Sequence, residues 1–297
     1  MSYLESLRVF VRVVELGSIT AGGRDLRLTP STASGRIKEL EARFGVRLLN
    51  RTTRKLTTTE IGQVLFDDAR KVISALEETE SNVASYRGTP QGVLRMIAPV
   101  VLGRRLIAPL IPEFRAANPE IELRLHLTDR NFNLVEDHID IGFVLGQPAD
   151  STLSWRKFAD CARVLVAAPD FLARAGTPQS PDDLMAHNCL LLRFPRSPEY
   201  FWVLDTAKGP RRMTVSGGFD TDDGDVLTGW ALARAGIANR PRYEVADDLE
   251  TGRLIEVLPD SPPIPAQCGC LTPHRRLRDP KVRLFVDFAA ARLKSAF

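Results

Sequence analysis

Between residues 18 and 59 the chain carries a tight succession of signals that start and stop helices, and this stretch leaves little freedom in how it folds. Leu4, Leu7, Val11 and Val14 recur at helical spacing, and Gly17 stops that helix where Ser18 can cap the next one. A second, short helix runs towards Leu26 and Leu28. Thr29 is placed as an N-cap before Pro30, whose missing N–H is harmless at the first helical position, so a third helix begins there. Its core face is Ala33, Ile37, Leu40 and Phe44, stepping by four, three and four residues. Gly45 ends it as a C′ glycine, and residues 46–50 start a short strand.

Around its N-terminus the third helix carries Thr29, Ser31, Thr32 and Ser34, with Arg36 and Lys38 behind them. Hydroxyls and helix N-terminal N–H groups bond phosphates, and longer side chains reach base edges, so this face suits a major groove. Arg51, Arg54 and Lys55 crowd the turn after the strand, where a wing would lie against the sugar-phosphate backbone or enter a minor groove. Each basic residue alone reads as a solvated side chain; in this order they read as a winged helix-turn-helix for duplex DNA. Charge is segregated to match. Residues 1–58 hold eleven Lys/Arg against five acids, a net of +6 in a chain of +3, so the rest carries −3.

After the wing, Thr57 and Glu60 have capping-box spacing and Thr59 is an equally good N-cap. Leu65, Ala69, Val72, Leu76, Thr79 and Val83 then step four, three, four, three and four, a coiled-coil seam that pairs with a second copy or else packs on its own body; the separate modules on either side and the usual pairing of half-site readers favour dimerisation. Residues 87–92 read as a hinge. Beyond it, strands over 93–98, 121–127 and 140–145 alternate with helices at 106–114 and near Leu134, which implies a parallel α/β sheet. A second unit of that style opens at 163–168 and has 230–237 as one of its helices.

The chain resembles the LysR-type transcriptional regulators. The likeness is carried by Phe10, Gly17-Ser18-Ile19-Thr20-Ala21, Leu26, Leu28-Thr29-Pro30-Ser31, Ser34, Ile37, Leu40-Glu41, Phe44-Gly45-Val46-Arg47-Leu48-Leu49, Arg51-Thr52-Thr53-Arg54 and Thr59-Glu60-Ile61-Gly62, and continues more loosely towards the C-terminus. It implies an α/β fold class with an all-α winged helix-turn-helix head (1–59), a long linker and dimerisation helix with hinge (60–88), and a two-lobed, periplasmic-binding-protein-like effector domain (89–297). Lobe I would be 89–161 and 265–297, and lobe II 162–264. The partners implied are a pseudo-palindromic double-stranded operator, a small-molecule effector such as an organic acid or aromatic, a second copy in a homodimer with a further step to a homotetramer, and RNA polymerase. The setting implied is cytoplasmic, with no membrane partner. Three departures stand out: Gly22-Gly23 where the family has alanines, each costing up to about 1 kcal/mol of helix stability relative to Ala, and Gly35 where it has Arg or Lys. Arg36 points roughly 100° away from that position around the helix.

Ligands of α/β lobes bind beyond the carboxyl ends of the strands, beside helix N-termini. Pro99-Val100-Val101, Thr128 and Gly146-Gln147 follow the three strands of lobe I and are expected at the cleft; the resemblance adds Phe201-Trp202 and Thr221-Asp222 from lobe II. Val100 and Val101 stand where many carboxylate-binding relatives place a hydroxyl, leaving backbone N–H groups to hold an anion. Asp220, Asp222, Asp223 and Asp225 form an acidic run without the spacing of a calcium loop, so turn and capping roles are expected. The four histidines lie singly, and Cys161, Cys189, Cys268 and Cys270 form no Cys-x-x-Cys pair; no metal or cofactor is expected. Neither Gly-x-Ser-x-Gly, Walker A nor a dinucleotide fingerprint occurs, so no catalytic residue and no enzyme is expected. Two alternatives remain at this level: an exported solute-binding protein on the same lobes, against which the basic head speaks, and an oxidant sensor with a cysteine switch.

Overall fold

A computed structural model describes residues 2–51, 56–85, 90–130, 132–146, 153–193, 201–294 and 296–297. Two compact units emerge, Met1–Gly92 and Val93–Phe297. In the first, α1 (Tyr3–Leu16) ends on Gly17 in the left-handed region (φ 62°), and Ser18 accepts the Ala21 N–H to start α2 (Ile19–Asp25). Thr29 Oγ1 accepts the Thr32 N–H at 3.2 Å and starts α3 (Pro30–Phe44), so the third helix begins where the cap chemistry puts it. Strands β1 (Leu49–Arg51) and β2 (Leu56–Thr58) pair antiparallel, and α4 (Glu60–Ser85) follows. Of the two candidate caps for α4, Thr59 serves: its hydroxyl accepts the Gly62 N–H at 2.9 Å and donates to the Arg47 carbonyl at 2.8 Å.

Phe10, Val13, Ala33, Ile37, Leu40 and Leu48 form the centre of the head. Phe44, expected among them, is instead 43 % exposed and lies against the Tyr3 ring, centroids 6.5 Å apart, because it sits in the last turn of α3 beyond the reach of α1's core face. The Gly22-Gly23 pair has a packing reason that helix propensity hides. A Cβ on Gly22 would lie 2.7 Å from Val13 Cγ2 and 2.8 Å from the Val13 backbone N and Cα, so α1 and α2 meet backbone to backbone there. A Cβ on Gly23 would lie 3.0 Å from that of Ala33. On α4 the expected seam divides. Ala69 joins Ile73 inside the head's core, whereas Val72 and Val83 are exposed, as are Ile61 and Val64 beside them on the helix.

In the second unit β3 (Gly92–Ala98) runs into α5 (Val100–Leu102), which continues as a wider turn at Gly103–Ile107 closed by Ala108 N–H to Gly103 O. Next come α6 (Leu110–Ala117), β4 (Ile121–Leu127), β5 (Ile141–Leu145) and β6 (Ser154–Cys161). The chain then crosses to a second sheet through β7 (Arg163–Ala167), α7 (Pro169–Ala175), β8 (Cys189–Leu192), the hairpin β9 (Phe201–Thr206) and β10 (Gly209–Thr214), β11 (Asp220–Thr221), α8 (Gly224–Leu232), β12 (Ile237–Pro241), α9 (Ala246–Glu250) and β13 (Ile255–Val257). It returns as β14 (Ala266–Thr272) and ends in α10 (Pro280–Leu293). The strand orders are β4-β3-β5-β14-β6 and β11-β8-β12-β7-β13.

Neither sheet is wholly parallel, contrary to the expectation from strand–helix alternation. β3 and β5 are parallel, but β14 is antiparallel to β5 and β6, and β7 is antiparallel to β12 and β13. The antiparallel members are the strands that carry the chain between lobes; they do not return over the sheet through a crossover helix. Leu134 sits in a turn and not a helix. The helix expected at 230–237 lies earlier, at Gly224–Leu232, because Asp223 caps it by accepting the Asp225 and Val226 N–H groups. Ile237 and Ala238 are fully buried in β12.

Candidate functional site: the recognition helix and the inter-lobe cleft

At the head of α3, Thr29, Ser31 and Thr32 are exposed, and their hydroxyls are linked: Thr29 Oγ1 lies 2.8 Å from both Ser31 Oγ and Thr32 Oγ1. Ser34 is half-buried, and Lys38 is exposed one turn on. Gly35 leaves the space beside it open, with nothing within 4 Å of where a Cβ would stand. Arg36 does not join this face. Its guanidinium turns back to Glu5 of α1 at 2.8 Å and is 11 % exposed, because the 100° step from position 35 carries it to the side of α3 that packs on α1. Arg51 contributes its backbone to β1, while Arg54 and Lys55 lie outside the described residues.

Within the second unit a cavity of about 430 Å³ opens between the two sheets. Pro99, Val101 and Thr128 line it from lobe I, and the Val100 amide donates to Asp129 Oδ1 at 3.1 Å. The other lobe supplies residues that the sequence did not single out: Gly224, Arg240, Pro241 and Glu244. Arg240 is 2 % exposed, and its Nη2 donates to Glu244, which also accepts the Tyr243 hydroxyl at 2.9 Å. Burial pushes the Glu244 carboxyl up from its ordinary range, against the pull of Arg240. Asp129 moves the same way: burial raises it, the Val100 amide opposes, and the charges of Asp223 and Asp222 add to the rise.

The remaining expected cleft residues are placed differently. Trp202 is buried among Leu204, Met213 and Val215 in the core of its own lobe, and Phe201 lies under the Arg212 guanidinium, 3.3 Å from its centroid. Both belong to the β9–β10 hairpin, whose apolar side closes on lobe II and not on the cleft. Thr221 Oγ1 accepts the Asp223 N–H, so Thr221 and Asp222 shape the turn into α8 and reach the cavity only through the charge of Asp222 on Asp129. Gly146, at φ 136°, bonds Gln267 beside the end of β5 without lining the cavity, and Gln147 is outside the described residues. Arg240 and Glu244 were legible only as an i, i+4 ion-pair spacing, a signal shared by countless surface pairs.

Two arginines bridge the lobes. Arg104 and Arg105, on the wide turn after α5, both pair with Asp225 in the first turn of α8, and Arg105 Nη1 donates to the Glu244 carbonyl at 2.7 Å. Cys161, Cys189, Cys268 and Cys270 are all buried, and burial pushes each thiol up to about 12, which disfavours the reactive thiolate form. Among the described residues no group of His, Cys, Asp and Glu is arranged to hold a metal ion, and no helix is long and apolar enough to cross a membrane.

Residues 4–63 match the bacterial regulatory helix-turn-helix protein of the lysR family, and residues 87–294 match the LysR substrate binding domain. The HTH-type transcriptional regulator DmlR of Escherichia coli is 33 % identical over 285 residues, 96 % of this chain and 92 % of its own. CrgA of Neisseria meningitidis is 36 % identical over 254 residues, 86 % and 84 % of the two chains. The structure of CrgA superposes with a TM-score of 0.62 at 32 % identity, covering 97 % of this chain and 98 % of that one. Full-length AphB, a Vibrio cholerae virulence activator, gives 0.65 at 29 % identity, covering 98 % and 99 %. With both domain signatures in sequence and full-length relatives of the same two-lobed architecture, the chain belongs to the LysR family of HTH-type transcriptional regulators.

Proposed function

We propose that this regulator binds its operator as a dimer through α3 and the basic hairpin, and that a small molecule held between the two lobes of its effector unit sets the response. The carrying observation is the exposed hydroxyl cluster of Thr29, Ser31 and Thr32 at the N-terminus of α3, with Ser34 and Lys38 behind it, on a head of net +6. Those groups suit phosphate and base-edge contacts, with Arg51, Arg54 and Lys55 as the expected backbone contacts of the wing. Arg36 is left out, since its charge is spent on Glu5. The exposed stripe of Ile61, Val64, Val72 and Val83 on α4 supports self-pairing, which would present two heads to a pseudo-palindromic site.

An effector acts by binding one arrangement of the protein better than another, and the cleft supports that role: it is lined by both lobes, which are also bridged by the Arg104 and Arg105 pairs with Asp225. The test begins with selection of bound duplexes from a random pool by the purified full-length protein, followed by mobility-shift titrations of the enriched site from 50 to 200 mM salt. The expected outcome is a sequence preference over shuffled duplex and an affinity that falls with salt at a slope of about −0.9 per phosphate contact. Equal affinity for enriched and shuffled duplexes would overturn the reading.

A further inference from the structure

Anions in α/β lobes commonly sit on the free N–H groups that open a helix after a strand. Here that place is already taken. The Val100 amide at the start of α5 donates to Asp129 Oδ1, so the protein's own carboxylate covers the amide that an effector anion would use. A second anion there would meet Asp129 directly, with Asp222 and Asp223 close enough to act on the same carboxyl.

The other wall carries two cations, Arg163 and Arg240, with one carboxylate, Glu244. Arg240 is almost completely buried, its Nη2 is bonded to Glu244, and among the described residues its Nε has no hydrogen-bond partner. The guanidinium lies against the start of α8, and a Cβ on Gly224 would displace it, standing 2.5 Å from Nη2 and 3.0 Å from Nη1. Arg163, the other cation on this wall, already donates to the Asn239 side chain at 2.9 Å. A buried guanidinium with part of its planar fork unmatched is a preorganised seat for a carboxylate. Asp129 faces the same cavity as an acceptor, and its second oxygen, Oδ2, has no hydrogen-bond partner among the described residues.

Given that the cleft takes an effector, we propose that its anionic group binds Arg240 of lobe II and not the amide end of α5, and that Asp129 selects a carboxylate carrying a neighbouring hydroxyl or ammonium donor. Gly224 is then a positioning residue, holding open the space in which the fork lies flat. An unsubstituted carboxylate would satisfy Arg240 and leave Asp129 Oδ2 desolvated without a donor, which is costly for a covered acceptor.

The test is a thermal-shift titration of the full-length protein with sodium lactate, alanine, sodium propionate and propane-1,2-diol at matched ionic strength. Lactate or alanine is expected to give a saturable rise in the melting of the effector unit. Propionate should bind at least tenfold more weakly and the diol not at all. R240K and G224A should each weaken the productive ligand at least tenfold, G224A serving as the check should the lysine variant fold poorly; DNA binding by the head reports on integrity. D129N should bring lactate or alanine close to propionate. A saturable shift that survives both R240K and G224A overturns the proposal and leaves the cleft reading intact. No saturable shift from any of the four also overturns it, and the cleft reading falls only if a broad metabolite set is equally silent.

Discussion

Replacing Gly22 and Gly35 by alanine, one at a time, sets two effects of opposite sign against each other in the same small head. Both glycines lie inside helices, so propensity alone says that each substitution should stabilise by about 0.8–1 kcal/mol. At Gly35 nothing stands within 4 Å of the new methyl group, and that gain should be realised in full. At Gly22 the methyl would meet Val13 Cγ2 at 2.7 Å and the Val13 backbone at 2.8 Å, and a backbone cannot rotate aside as a side-chain end can. Overpacking of this kind costs about 1–3 kcal/mol. Taking about 2 kcal/mol for the clash and subtracting about 1 for propensity leaves G22A destabilised by about 1 kcal/mol, or roughly 4–8 °C in the melting of a domain of this size. Differential scanning calorimetry of the full-length variants would resolve the head transition from that of the effector unit, which should not move. G35A should raise the head transition and G22A lower it. If G22A raises it as G35A does, α1 and α2 are not in backbone contact and the packing argument is wrong.

Three further outcomes are expected. G35R has open space for its side chain and adds a cation to the face of α3, so it should tighten operator binding and steepen the salt slope by about 0.9; weaker binding would mean that α3 docks in another orientation. V72E places a charge in the exposed stripe of α4 without entering the head's core, so light scattering should show dimers giving way to monomers while the head's melting is retained; persistent dimers would exclude that stripe as the interface. The four thiols are raised by burial from about 9 to about 12, so the folded state favours their protonated form. The stability they lend is complete below pH 9 and is lost as pH climbs from 9 towards 12, which alkaline unfolding curves of Cys→Ala variants should reveal as a shallower fall; at pH 8 a disulfide reagent should find them unreactive until the protein is denatured.

Local chemistry was enough for the head. The caps at Ser18 and Thr29, the stop glycines and the three-four spacing of Ala33, Ile37 and Leu40 are short-range signals, and α1, α2 and α3 lie where those signals put them. The lobe I side of the cleft was legible for a similar reason: Pro99, Val101 and Thr128 follow directly on the ends of strands β3 and β4, and strand ends open onto the cavity. Tertiary structure decided what depends on residues distant in sequence. The fate of Gly22 depends on Val13 across a helix contact, and that of Arg36 on Glu5, 31 residues away. The antiparallel partners of β14 come from chain segments more than a hundred residues apart. Arg240 has no distinguishing neighbours in the sequence, and only the fold buries it, lays its fork against Gly224 and sets it in the same cavity as Asp129, some 111 residues away in the chain. Spacing along one chain reports which face of a helix or strand a side chain shares; which of those faces meet, and whether a charge between them finds a partner, is settled by packing.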